Sequence, residues 1–169
     1  MNFIQSLETY TNAQKWVGTN FIILGSLLLI LATTVAFFIN KSPLADGLKW
    51  GALCTGLLII IGGFSYRNFS DKIQYNAKEI YGDNPTKFIQ TEYNRMSKVN
   101  KGFIVYQMSF AAFVVASLIV ILFVKSPFAK GISFAVAVLF IGVLIIEGFS
   151  QKSITTYNDE LNVEFLKIP

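Results

Sequence analysis

The sequence has no histidine and a single cysteine, Cys54. The first absence removes the usual haem ligand and the commonest zinc ligand. The second forbids an intramolecular disulfide, and Cys54, inside an apolar run, reads as a small packing residue. Charge is scarce as well: Lys, Arg, Asp and Glu make up 14% of the residues, where about a quarter is usual in a soluble domain. No Gly-rich phosphate loop, nucleophile elbow or metal-ligand cluster occurs. No catalytic residue, metal ligand or cofactor is therefore expected, and the chain reads as non-enzymatic.

What it has instead is apolar length. Residues 17–39 and 102–124 carry no charge, and each run can cross a hydrocarbon core of roughly 30 Å as a helix. The uncharged runs 50–66 and 131–146 are shorter and reach spanning length with their flanking turns. The first apolar run follows a polar stretch of about fifteen residues, unlike the basic start of a signal peptide.

The chain also repeats itself. Lys41-Ser42-Pro43-Leu44-Ala45-Asp46-Gly47 recurs as Lys125-Ser126-Pro127-Phe128-Ala129-Lys130-Gly131, an offset of 84 that also pairs Gly18 with Gly102 and Glu8 with Glu92. One inserted residue then brings Gly63-Phe64-Ser65 onto Gly148-Phe149-Ser150. The fold class expected is all-α: a polytopic membrane protein of four transmembrane helices, built as a tandem duplication of a helical hairpin. The units are 1–84 and 85–169, in one compact membrane domain, related by a pseudo-two-fold axis along the membrane normal.

Serine or asparagine followed by proline marks a helix start, because the side chain accepts from orphan amides and proline at the first position forfeits nothing. Ser42, Ser126 and Asn84 are the expected N-caps. Capping accounts for the Lys-Ser-Pro tips without an anion site. The tip turns are short, 40–42 and 125–126, so the helices of each hairpin lie antiparallel and touch. Gly82-Asp83-Asn84-Pro85 reads as a stop and restart between the units.

Outside the spans the apolar residues fall into stripes at helical spacing: Phe3, Leu7 and Tyr10; Phe69, Ile73, Ala77 and Ile80; Phe88, Ile89, Tyr93 and Met96, with the acid Glu92 among them; Ile154, Tyr157, Leu161 and Phe165. Four such stripes can bury one another, extending the bundle past the membrane face. Terminal helices lying flat on the headgroups are the alternative. Ten Lys and Arg residues fall in the terminal and central segments and four at the hairpin tips. The positive-inside rule then places both termini and the central segment in the cytoplasm, with the protein integral to the cytoplasmic (inner) membrane. The net charge of +4 is explained by anionic headgroups, so membrane lipids are expected partners and nucleic acid is not. Trp16 and Trp50 fall at the interface belts, and Ala52, Gly56, Gly62-Gly63, Ala112 and Ala116 are small residues placed to seat helix on helix.

Polar residues inside spans are the candidate site. Asn20, Gln107 and Glu147 lie at similar shallow depth, with Tyr106 and Ser65 nearby, and read as one belt in which Glu147 accepts from the amides and the tyrosine. Such residues also serve as plain interhelical hydrogen bonds. Three functions fit. One is an accessory or scaffold subunit docking a larger protein partner, which small size and missing chemistry favour. A second is self-association into a pore, similar in layout to the small two-span effectors of bacterial defence, though the outer two thirds of each span offer only scattered polar groups. The third is lipid or hydrophobic-ligand binding between the hairpins, with the belt holding a headgroup.

Overall fold

The computed structural model describes residues 3–39 and 41–167, the side chain of Lys78 excepted; Asn40, the first residue of the first tip turn, lies outside the described residues. The chain forms four helices, α1 (Phe3–Phe38), α2 (Pro43–Asp83), α3 (Pro85–Phe123) and α4 (Pro127–Phe165). Three of them start on a capped proline. The Ser42 side chain accepts from the Ala45 amide at 3.2 Å, Ser126 from Ala129 at 3.4 Å and Asn84 from Lys87 at 3.0 Å.

The stop between α2 and α3 differs from the expected glycine cap. Gly82 is an ordinary helical residue without positive φ, and α2 continues through Asp83. The chain turns at Asn84 alone, held extended at φ −151° and ψ 88° because the ring of Pro85 excludes the helical conformation from the residue before it. Its N–H still donates to the Ile80 carbonyl at 2.9 Å, so one residue caps both helices.

The helices are 36–41 residues long, roughly 54–62 Å at 1.5 Å per residue, against a hydrocarbon core of about 30 Å. All four are long and apolar enough to cross a membrane. The surplus length lies at the end that holds both termini and the α2–α3 joint, here the polar end. At the opposite end Phe37, Phe38, Leu122 and Phe123 are 81, 85, 70 and 78% exposed, an arrangement suited to hydrocarbon and not to water.

Backbone contact decides which helices meet. On α1, Gly18 and Gly25 are seven residues apart, two turns on one face, and on α2 so are Gly56 and Gly63. A Cβ added at Gly25 would lie 2.6 Å from the Gly56 carbonyl, and one at Gly63 would lie 2.6 Å from the Gly18 carbonyl. Only glycine permits this approach. Helices α2 and α4 cross as closely near their starts, where an added Cβ at Gly47 would strike the Phe128 carbonyl and one at Gly131 the Leu44 carbonyl.

The second hairpin is built differently. Phe140 stands 84 residues after Gly56, and its ring stacks on Phe113 at 4.7 Å and on Phe110 at 5.6 Å. Rings therefore separate α3 from α4 where backbones touch in the first hairpin. Ala112 and Ala116, expected to seat α3, are exposed because they lie on the side of α3 away from the packed line Phe103, Phe110 and Ser117. Gly62 also faces open space, while its neighbour Gly63 packs. The apolar stretch of α3 is the least covered of the four, and α3 touches α2 only sparingly.

Past the apolar zone the helices stay together around Phe3, Leu7, Tyr10, Ala77, Phe88, Met96, Tyr157 and Leu161. Not every stripe residue joins: Phe69 and Ile80 are 59 and 43% exposed, because no element covers that side of α2. A Gly25→Leu substitution is expected to force α1 from α2 and destabilise the protein by about 1–3 kcal/mol, the usual penalty of overpacking. Gly62→Leu should leave the melting temperature in detergent unchanged, and comparing the two variants checks the contact.

Candidate functional site

Because α3 stands away from α2, a cleft of about 610 Å³ opens between them. Helices α1 and α4 supply its floor, α2 and α3 its walls, so its mouth faces sideways. The deep part is apolar, lined by Phe21, Ile59, Phe110, Leu139 and Phe140. Toward the polar end the lining changes to Gln14, Tyr66, Glu147, Arg95 and Lys98.

The expected belt assembles in part. Tyr106, Gln107 and Glu147 all line the cleft. Counting along α3 and α4 from the Phe113–Phe140 stack and the Glu92–Tyr157 hydrogen bond sets Glu147 level with residues 102–106 of α3. Asn20 and Ser65 are not among the lining residues. The Asn20 amide donates to the Trp16 carbonyl of its own helix at 2.8 Å, and the Ser65 hydroxyl to the Ile61 carbonyl at 2.9 Å. Asn20 is six residues past Gln14, which turns it off the buried face. Glu147 receives only the Ser150 hydroxyl, at 3.4 Å, and not the two amides expected.

A second amide, Gln14, lines the cleft beside Gln107. It sits on the buried line Leu7, Tyr10, Gln14, Val17, Phe21, spaced three and four apart, and is 5% exposed. Its Oε1 accepts from the Tyr66 hydroxyl at 2.5 Å. Its Nε2 is buried without a hydrogen-bond partner among the described residues, a state that is costly for a buried donor. Among the described residues, Glu147 on the floor has no cation within ion-pair distance, and Lys98 on the wall has no anion.

The polar end of the cleft is fixed by a buried ion pair. Arg95 donates to Glu92 through Nε at 2.8 Å and Nη2 at 2.6 Å, and the Tyr157 hydroxyl donates to the same carboxylate at 3.0 Å. Tyr10 stacks on Tyr157 at 4.7 Å and lies under the Arg95 guanidinium at 5.6 Å. Burial alone would lower the pKa of Arg95, but the hydrogen bonds and charge of Glu92 outweigh it and hold the guanidinium above its ordinary value. Burial, and then the neighbouring Glu92 charge, push Tyr157 up. The sequence signal for Glu92 is its place in the stripe, four residues from both Phe88 and Met96. On the other hairpin face Lys15 pairs with Asp71 at 2.6 Å and donates to Gln74 at 2.6 Å, tying α1 to α2.

No protein-family model, curated protein or solved structure matches this chain.

Glu92→Ala is expected to destabilise by about 1–3 kcal/mol, because it leaves the half-buried Arg95 guanidinium and the buried Tyr157 hydroxyl without their acceptor. Replacing both partners, Glu92→Leu with Arg95→Met, should cost less than the single change; denaturant titration of the three variants checks this. Since the Tyr157 pKa is raised on folding, its neutral form contributes stability that is complete below about pH 10 and declines as the pH rises beyond it. Tyr157→Phe should flatten that alkaline decline in a series of melting curves.

Proposed function

We propose that the protein binds one amphiphile in the α2–α3 cleft, its chain in the apolar part and its headgroup at the polar end. A single observation carries this: the cleft grades from Phe110, Leu139 and Phe140 to Gln14, Glu147 and Lys98, the gradient of a lipid monomer. A volume of about 610 Å³ falls within the range of ligand sites, roughly 300–1,000 Å³. No chemistry of bond making is needed for this function.

The cleft fits an architecture of two duplicated hairpins. Shifting Gly47 and Phe128 by 84 residues in opposite senses gives Gly131 and Leu44, and both pairs are the close approaches between α2 and α4. The excess of Lys and Arg in the terminal and central segments supports a cytoplasmic polar end in an inner membrane. The headgroup would then lie at the cytoplasmic leaflet. A second function, an accessory subunit docking a larger partner, is supported by α3, whose apolar stretch is the least covered.

Gly102 provides the test. It lines the cleft, and an added Cβ there would meet only the Tyr106 ring, at 3.4 Å, so a larger side chain enters the cleft without disturbing helix packing. Native mass spectrometry after gentle extraction is expected to show one retained lipid per chain, lost in Gly102→Phe at unchanged helicity. Equal retention by both proteins, or none by the natural one, would falsify the proposal. A stoichiometric foreign protein retained by both establishes the subunit function instead.

A further inference from the structure

The lining of the cleft also constrains what kind of amphiphile enters, an inference that rests on the amphiphile-binding function above. Two charged groups on its surface have no ion-pair partner among the described residues: the Glu147 carboxylate, with its one weak hydroxyl contact, and the Lys98 ammonium. Their order along the axis is informative. Glu147 is level with residues 102–106 of α3, next to the apolar part, and Lys98 lies one to two turns farther toward the polar end, roughly 6–12 Å at 1.5 Å per residue. Arg95 follows one turn beyond, its Nε and Nη2 already held by Glu92.

A ligand meeting these groups in sequence has a chain, then a hydrogen-bond donor, then an anion. Phospholipids with an amine at the outer end of the headgroup run the other way, phosphate first and cation last, and would set phosphate against Glu147.

We propose that the cleft selects a lipid with a hydroxyl or amide N–H beside the chain and a phosphate or carboxylate beyond it. The donor goes to Glu147 and the anion is met by Lys98. Two sources share this chemistry, monoacyl glycerol phosphates and N-acyl amino acids, and the hydroxyl and amide arms of the experiment separate them.

The test uses the full chain in nanodiscs, with bound lipid read by native mass spectrometry in pairwise competition. The probes are 1-acyl-glycerol 3-phosphate, the N-acyl amino acid, the plain alkyl phosphate, the monoacyl glycerol and the diacyl phosphatidic acid, all of one chain length. One of the first two is expected to win over each of the other three by about tenfold, the worth of one hydrogen bond to a charged group. Glu147→Leu should bring the ratio to the alkyl phosphate to about one, and Lys98→Ala the ratio to the neutral glycerol.

Ratios near one in the natural protein, or ratios that the Glu147 and Lys98 variants leave intact, overturn the selectivity. If Gly102→Phe still abolishes retention in that case, amphiphile binding stands and only the headgroup assignment fails. If no probe binds and Gly102→Phe changes nothing, both fail together.

Discussion

The contact on which the rest depends is between two backbones. In the first hairpin Gly18 and Gly25 meet Gly63 and Gly56 so closely that no side chain fits between the helices. At the corresponding place in the second hairpin Phe140 lies against Phe110 and Phe113. An aromatic ring is a spacer as well as a packing group, and it holds α3 away from the position that α1 takes in its own hairpin. The void is not a packing fault: it is the geometric remainder of joining one glycine hairpin to one phenylalanine hairpin. Its apolar walls offer water nothing to bind.

Stability and site share a boundary at Arg95. Its charge belongs to the Glu92–Tyr157–Tyr10 cluster that locks the polar end, while its side chain also lines the cleft. The cluster is buried on the side facing α1 and α4, and the apolar residues Met96 and Leu161 exclude water from it. Low local dielectric strengthens the paired charges and raises the penalty for unpairing them. The walls near the headgroup end are therefore stiff, whereas the uncovered outer part of α3 has little protein to restrain it.

How much of this was legible in the residues depends on what fixes each feature. Helix starts are local, so Ser42, Asn84 and Ser126 could be read from a capping side chain and the following proline. Depth is nearly local too, being a count of residues from the last charge, and it brought Gln107, Glu147 and Tyr106 to one level. Direction around the helix axis is not local. Asn20 and Gln14 lie at neighbouring depths, and only the close approach of Gly18 and Gly25 to α2 decides that Gln14 points inward. The stripe Leu7, Tyr10, Gln14, Val17, Phe21 contains that information, as does Phe88, Glu92, Met96 for the buried ion pair; a polar residue on an apolar stripe is the signal that depth alone misses. Gly82 misled for the opposite reason, since Pro85 already fixes the turn at Asn84 and leaves the glycine no task there.

Asn84 is the whole of the connection between α2 and α3, and those helices otherwise barely touch. The cleft is thus tethered at its polar end by one residue and open along its flank. Anything that occupies it exchanges with the surrounding leaflet and not with the aqueous phase. Occupancy then follows the mole fraction of the ligand among the leaflet's lipids, so the protein would respond to membrane composition while remaining indifferent to the dissolved concentration of the same molecule.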